Sequence, residues 1–179
     1  YLLKAGYDVV TFDYRGFGAS SDFDFKPNNV YHSEYVTDFI TVVDWAKQEI
    51  NPEKIGVLAF SMGTLIATLG FEKSPYDFLA CEAFIYSPKI NHKRIKKRKG
   101  KQLNLPNGAK KVGKPINKID IPMLLFASIS DQITALKDSV RVARKSPKRK
   151  VIGYDGEHLG GAFTIGIDQY INEITMMAN

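Results

Sequence analysis

A single cysteine, Cys81, stands in the whole chain, so no intrachain disulfide can form. It lies in an apolar run from Phe78 to Tyr86, where a core thiol is expected, and such cysteine usage suits a reducing cytoplasm. No uninterrupted apolar stretch reaches the ~18 residues that a bilayer-crossing helix requires, so no transmembrane segment is expected. No signal-peptide pattern and no internal repeat occur. Clusters of His, Cys, Asp or Glu with metal-ligand spacing are missing, as is any G-x-G-x-x-G string after a strand pattern. Neither a metal nor another cofactor is expected. Acidic residues are absent from Lys89 to Lys118, a stretch that holds twelve lysines and arginines. The chain's net charge of +6 therefore leaves −6 for everything else.

What is present suits one domain spanning residues 1–179, since 179 residues with 44% apolar content can bury a substantial core. Strand-like and helix-like patterns alternate, which predicts an α/β fold: a mostly parallel sheet with helices on both faces. Strands are expected near Tyr7–Asp13, Lys54–Phe60, Ala80–Tyr86, Ile121–Ser128 and Lys150–Tyr154. Val36, Phe39, Ile40, Val43, Ala46 and Ile50 recur at helical steps before the second of these. Further helices are expected from Met62 towards Glu72, from Gln132 to Lys145, and from about Gly161 to the end.

Ala59-Phe60-Ser61-Met62-Gly63 puts a serine directly between an apolar strand and a helical pattern, flanked two residues away by small side chains. A turn this tight strains the serine backbone, projects Oγ beyond the sheet, and aims the Met62 N–H at the space where an oxyanion would form. Serine needs a base, and the base needs an orienting group. Asp131 follows the strand that ends at Ser128, and His158 follows the strand that ends at Tyr154. Both thus stand at strand C-terminal ends, where parallel sheets collect ligand-binding and reacting groups. Ser61 is the expected nucleophile, Asp131 the acid and His158 the base. Ordinary alternatives stand beside them: Ser61 as a turn serine, Asp131 as a helix cap, and Asp138 or Asp155 as the acid. His32, just before a helix, and His92, within the basic stretch, are placed less well than His158.

These residues, in the chain order serine, aspartate, histidine, resemble the α/β-hydrolase superfamily, nearest its esterase, lipase and serine-aminopeptidase branches. A second stretch carries the likeness: Asp13-Tyr14-Arg15-Gly16-Phe17-Gly18-Ala19-Ser20 is similar to the family's aspartate-x-arginine-glycine-x-glycine-x-serine loop. Arg15, Gly16 and Gly18 are expected to shape that loop. Ala59 stands where the family has glycine. The resemblance covers nearly all of the chain outside the basic stretch. It implies a serine hydrolase that cleaves an ester, thioester or amide through an acyl-enzyme, or an acyltransferase using the same three residues. A non-catalytic, hydrolase-like binding module is the alternative from another class. The resemblance also implies strands before Tyr1, together with the loop that provides a second oxyanion donor. The chain is accordingly expected to be an N-terminally truncated piece, which alone would lack that donor.

Residues 89–118 form a basic insertion, poor in large apolar side chains and punctuated by Pro106, Asn107, Gly108 and Pro115. Its place between two sheet strands is where the resembled family sets a lid or cap. A mobile solvated loop is one reading; recruitment of an anionic substrate or anionic lipid surface is another. Nucleic acid is not an expected partner, because aromatic residues do not interleave the Arg94–Lys99 run.

Overall fold

The computed structural model describes residues 1–106, 109 and 115–178. Four strands form one parallel sheet in sequence order: β1 (Gly56–Phe60), β2 (Phe78–Glu82), β3 (Met123–Ser128) and β4 (Arg149–Tyr154). Parallel strands need crossover connections, and helices supply them: α2 (Met62–Gly70), α3 (Pro88–Lys99) and α4 (Leu136–Ala143). Before β1 comes α1 (His32–Trp45), extended by a π-turn over Ala46–Ile50; after β4 come α5 (Gly161–Ile165) and α6 (Ile167–Ala178).

Side-chain alternation divides β2 and β3 between two cores. Leu79, Cys81, Met123 and Leu125 face one side and pack with Tyr35, Phe39 and Val43 of α1, Ile66 of α2 and Val142 of α4. Phe78, Ala80, Leu124 and Phe126 face the other and meet Tyr170 and Ile174 of α6. Both central strands are buried along their whole length, which is why they read as unbroken apolar runs. Burial pushes the Cys81 thiol up and keeps it protonated.

Three sequence expectations are corrected. Tyr7–Asp13 is not a strand: a strand exists only when paired, and among the described residues this segment has no ladder partner, with Val9 and Val10 left exposed. The expected helix from Gln132 is shorter, because Asp131 ties residues 132–135 into a side-chain-capped loop before α4 starts at Leu136. The terminal helix is two helices, broken at Gly166 (φ 92°). Phe163 thereby falls out of register with the buried face of α6 and is 93% exposed.

The Asp13–Ser20 loop is fixed to α1 by Arg15, whose Nε donates to Asp38 Oδ1 at 2.9 Å and whose Nη2 donates to the same oxygen at 2.5 Å. Gly18 has φ 52°, and a Cβ there would lie 1.9 Å from Asp13 Oδ2. Gly18→Ala is expected to cost at least ~1–3 kcal/mol from the backbone conformation alone, read as a lowered Tm in thermal denaturation. An unchanged Tm would contradict this account of the loop.

Candidate active site

Ser61 sits between β1 and α2 with φ 47° and ψ −115°, a conformation that non-glycine residues rarely adopt. It costs about 1–3 kcal/mol and persists because the surroundings over-determine it. The Ser61 N–H donates to the Glu82 carbonyl at 2.9 Å. Its own carbonyl accepts the Thr64 N–H at 3.0 Å and the Thr64 hydroxyl at 2.7 Å. A Cβ on Gly63 would meet that of Ala59 at 3.9 Å, an ordinary van der Waals contact. Alanine at position 59 therefore fits the turn without displacement. Met62 opens α2, so its N–H has no intrahelical acceptor and lies at the positive end of the helix dipole.

Three strand ends bring Ser61, Asp131 and His158 into one hydrogen-bonded row. Ser61 Oγ lies 3.1 Å from His158 Nε2, and His158 Nδ1 lies 2.6 Å from Asp131 Oδ2. The Asp131 side chain is 4% exposed, whereas that of His158 is 41% exposed to the pocket side. Burial raises the Asp131 carboxyl pKa, but hydrogen bonds from His158, the Thr134 hydroxyl, and the Thr134 and Ile133 N–H groups outweigh it. The net result holds Asp131 well below the usual carboxylate range, so it is ionised at neutral pH. The two other aspartates near this edge are engaged elsewhere. Asp138 pairs with Arg94, and Asp155 accepts from Ser130 Oγ at 3.1 Å. His32 is buried at the start of α1, where burial lowers its pKa, and His92 lies within α3.

Several supporting residues had no sequence signal strong enough to single them out. Thr134, itself buried, donates its hydroxyl to Asp131 Oδ2, and its N–H donates to Oδ1 at 3.0 Å. The D-x-x-T spacing of a side-chain-capped turn is the clue that could have found it. Ser128 joins two loops: its Oγ accepts the N–H groups of Ser130 and Asp131, both at 3.1 Å, and donates to the Gly156 carbonyl.

The first part of the basic segment is helical. Asn91 Nδ2 and Arg94 Nη1 of α3 donate to the Ile133 carbonyl at 3.0 and 2.9 Å, tethering α3 to the Asp131 loop. Residues 89–99 of the expected loop are thus helical, with the buried Asn91 and the half-buried Arg94 anchoring one side. Residues 107, 108 and 110–114 of the expected insertion, with Asn107, Gly108, Lys110, Lys111 and Lys114, lie outside the described residues. A cavity of about 860 Å³ opens beside Ser61, with Leu65, Ile85, Ile95 and Leu103 among its apolar walls and Arg98, Lys99 and Lys101 among its basic lining. Among the described residues, no three His, Cys, Asp or Glu side chains converge as a metal site would. No helix there is long and apolar enough to cross a membrane.

Comparison with known proteins agrees with this architecture. Residues 1–80 match the family model described as the alpha/beta hydrolase fold. Lysophosphatidylserine lipase of Danio rerio is 37% identical over 67 residues, 37% of this chain and 16% of that protein. An uncharacterized 31.7 kDa protein of Escherichia coli is 40% identical over 62 residues, 34% of this chain and 21% of its own length. The matched segments thus span less than a quarter of the curated relatives. Among solved structures, the Pyrococcus furiosus esterase Pf2001 superimposes with a TM-score of 0.76 at 22% identity, over 98% of this chain and 72% of that one. Residues 1–80 thus match the α/β-hydrolase family by sequence, and the chain's parallel sheet with its flanking helices has the α/β-hydrolase fold.

Proposed function

We propose that the chain carries the reaction centre of a serine hydrolase acting on esters, thioesters or amides. The row from Ser61 Oγ through His158 to Asp131, at 3.1 and 2.6 Å, is the observation that supports it. Ser61 Oγ attacks the substrate carbonyl as His158 Nε2 takes its proton. Asp131, fixed as an anion on Nδ1, selects the tautomer and stabilises the imidazolium. The Met62 N–H donates to the oxyanion. Collapse returns the proton to the leaving group and leaves an acyl-enzyme on Ser61, which water then cleaves. A p-nitrophenyl ester tests the sequence of steps. A burst of about one p-nitrophenol per site before steady turnover is expected; linear release without acylated protein would overturn it. Diversion of the acyl group to an added alcohol would instead identify a transferase.

The cavity's apolar walls fit an acyl chain, and the Arg98, Lys99 and Lys101 rim favours an anionic group on the substrate. The α3 helix, with Lys89, Lys93, Lys96 and Lys97 exposed, acts as the cap over this cavity. Reversing the three rim charges to glutamate is expected to raise KM for a carboxylate- or phosphate-bearing ester by about tenfold, an effect that high salt screens. KM for a neutral ester should stay constant. Equal changes for both esters would remove the rim from substrate selection.

A further inference from the structure

Glu82 ends β2 and is 1% exposed, and among the described residues it forms no ion pair. A buried carboxyl group without a cation is expensive unless donors surround it. Three do. Oε1 accepts the backbone N–H of Gly161 at 2.7 Å and the Tyr154 hydroxyl at 2.8 Å, and Oε2 accepts the Tyr170 hydroxyl at 2.9 Å. Burial, with Glu82 adding to it, raises the pKa of both tyrosines, so they remain protonated donors. The carbonyl of the same residue accepts the Ser61 N–H at 2.9 Å. One residue thus grips the turn that carries Ser61 through its backbone and the loop that carries His158 through its side chain. Gly161 is suited to this grip, because a Cβ there would lie 2.9 Å from Glu82 Oε1. The carboxyl group does not reach His158, whose Nδ1 is taken by Asp131.

We infer that Glu82 is a positioning residue, setting the distance between the Ser61 hydroxyl and the His158 ring by pinning Gly161 to the end of β2. The inference rests on the reading of Ser61 and His158 as nucleophile and base. Its logic is geometric: His158 is partly exposed on a loop, and a shift of about 1 Å at a reacting pair can cost on the order of 10²-fold in rate.

Four variants of the full-length protein test it: Glu82→Met, Glu82→Gln, Gly161→Ala and Tyr170→Phe. Readouts are kcat and KM for a p-nitrophenyl ester, the rate of fluorophosphonate adduct formation on Ser61, and Tm. Glu82→Met is expected to lower kcat and adduct rate together by about 10²-fold, with KM within about twofold. Glu82→Gln should recover most of the loss. Its amide oxygen can still accept from Gly161, and its NH₂ can donate to a Tyr170 hydroxyl turned to accept. Gly161→Ala, which displaces the loop while keeping Glu82, should mimic Glu82→Met. Tyr170→Phe removes a donor from the far oxygen only, so it should lower Tm with kcat near wild type. Wild-type kcat in folded Glu82→Met or in Gly161→Ala overturns the inference. So does a kcat loss in Tyr170→Phe equal to that in Glu82→Met, which would signal general loosening. Should Glu82→Met not fold, the Gly161→Ala result decides. An adduct on wild-type Ser61 with unaffected variants removes only the Glu82 role; an unreactive wild type overturns both readings.

Discussion

Ser61→Ala is expected to lower ester turnover by about 10⁶-fold in kcat with almost no change in Tm. The two outcomes separate because, in the proposed mechanism, the hydroxyl is used for chemistry and contributes little to packing. The side chain's hydrogen bond at this position is to His158 Nε2, on a ring that is itself 41% exposed. The strained φ of 47° is retained by alanine, so the backbone cost is the same in both proteins. The proposed mechanism also makes the site one unit: removing His158 in the same protein should add little further loss, since in that mechanism neither group works without the other. Steady-state rates of the single and double variants check this. A Ser61→Ala protein with wild-type turnover would remove the serine from the reaction.

Asp131→Asn is expected to reduce kcat by about 10⁴-fold while leaving the loop in place. Asparagine can still accept the Ile133 and Thr134 N–H groups, now at 2.8 and 3.0 Å from Asp131 Oδ1. What it cannot do is stabilise a cationic imidazole, and it can hold the ring in the unproductive tautomer. The pH dependence follows from the direction of the Asp131 shift. Its folded pKa lies below the unfolded value of ~3.9. The stability it contributes is therefore fully present above that value and is lost as pH falls through the folded pKa. Between about pH 5 and 9 its charge is constant, so any acid limb of kcat/KM in that window titrates a different group. Unfolding curves should show the Tm gap between wild type and Asp131→Asn narrowing in strong acid. A gap that persists unchanged through strong acid would contradict the assignment of the carboxyl's state.

Much of this centre could be read from the chain because strand ends are marked by simple patterns. Phe60, Ser128 and Tyr154 each close a strand, and the proposed reacting side chains follow within one to four residues. The central strands β2 and β3 are buried on both faces, so they appear as continuous apolar segments. Tyr7–Asp13 has the same composition but lacks a partner among the described residues, and pairing is not a local property. Glu82 was invisible for a related reason. Its three donors come from positions 72, 79 and 88 residues away, and nothing near it in sequence announces them. The α3 helix was obscured by its charge: Asn91 and Arg94 anchor it through the Ile133 carbonyl, whereas sequence alone shows a run of solvated lysines. Thr134 and Ser128 act through short side-chain-to-backbone bonds that any loop could contain.

Intact-mass analysis after treatment of the full-length protein with a fluorophosphonate tests the central claim most directly. The account predicts one adduct per chain, mapped to Ser61, absent in Ser61→Ala and lost when the protein is heat-denatured before treatment. No adduct on the folded protein, or an adduct that persists in Ser61→Ala, would contradict an activated serine at the end of β1.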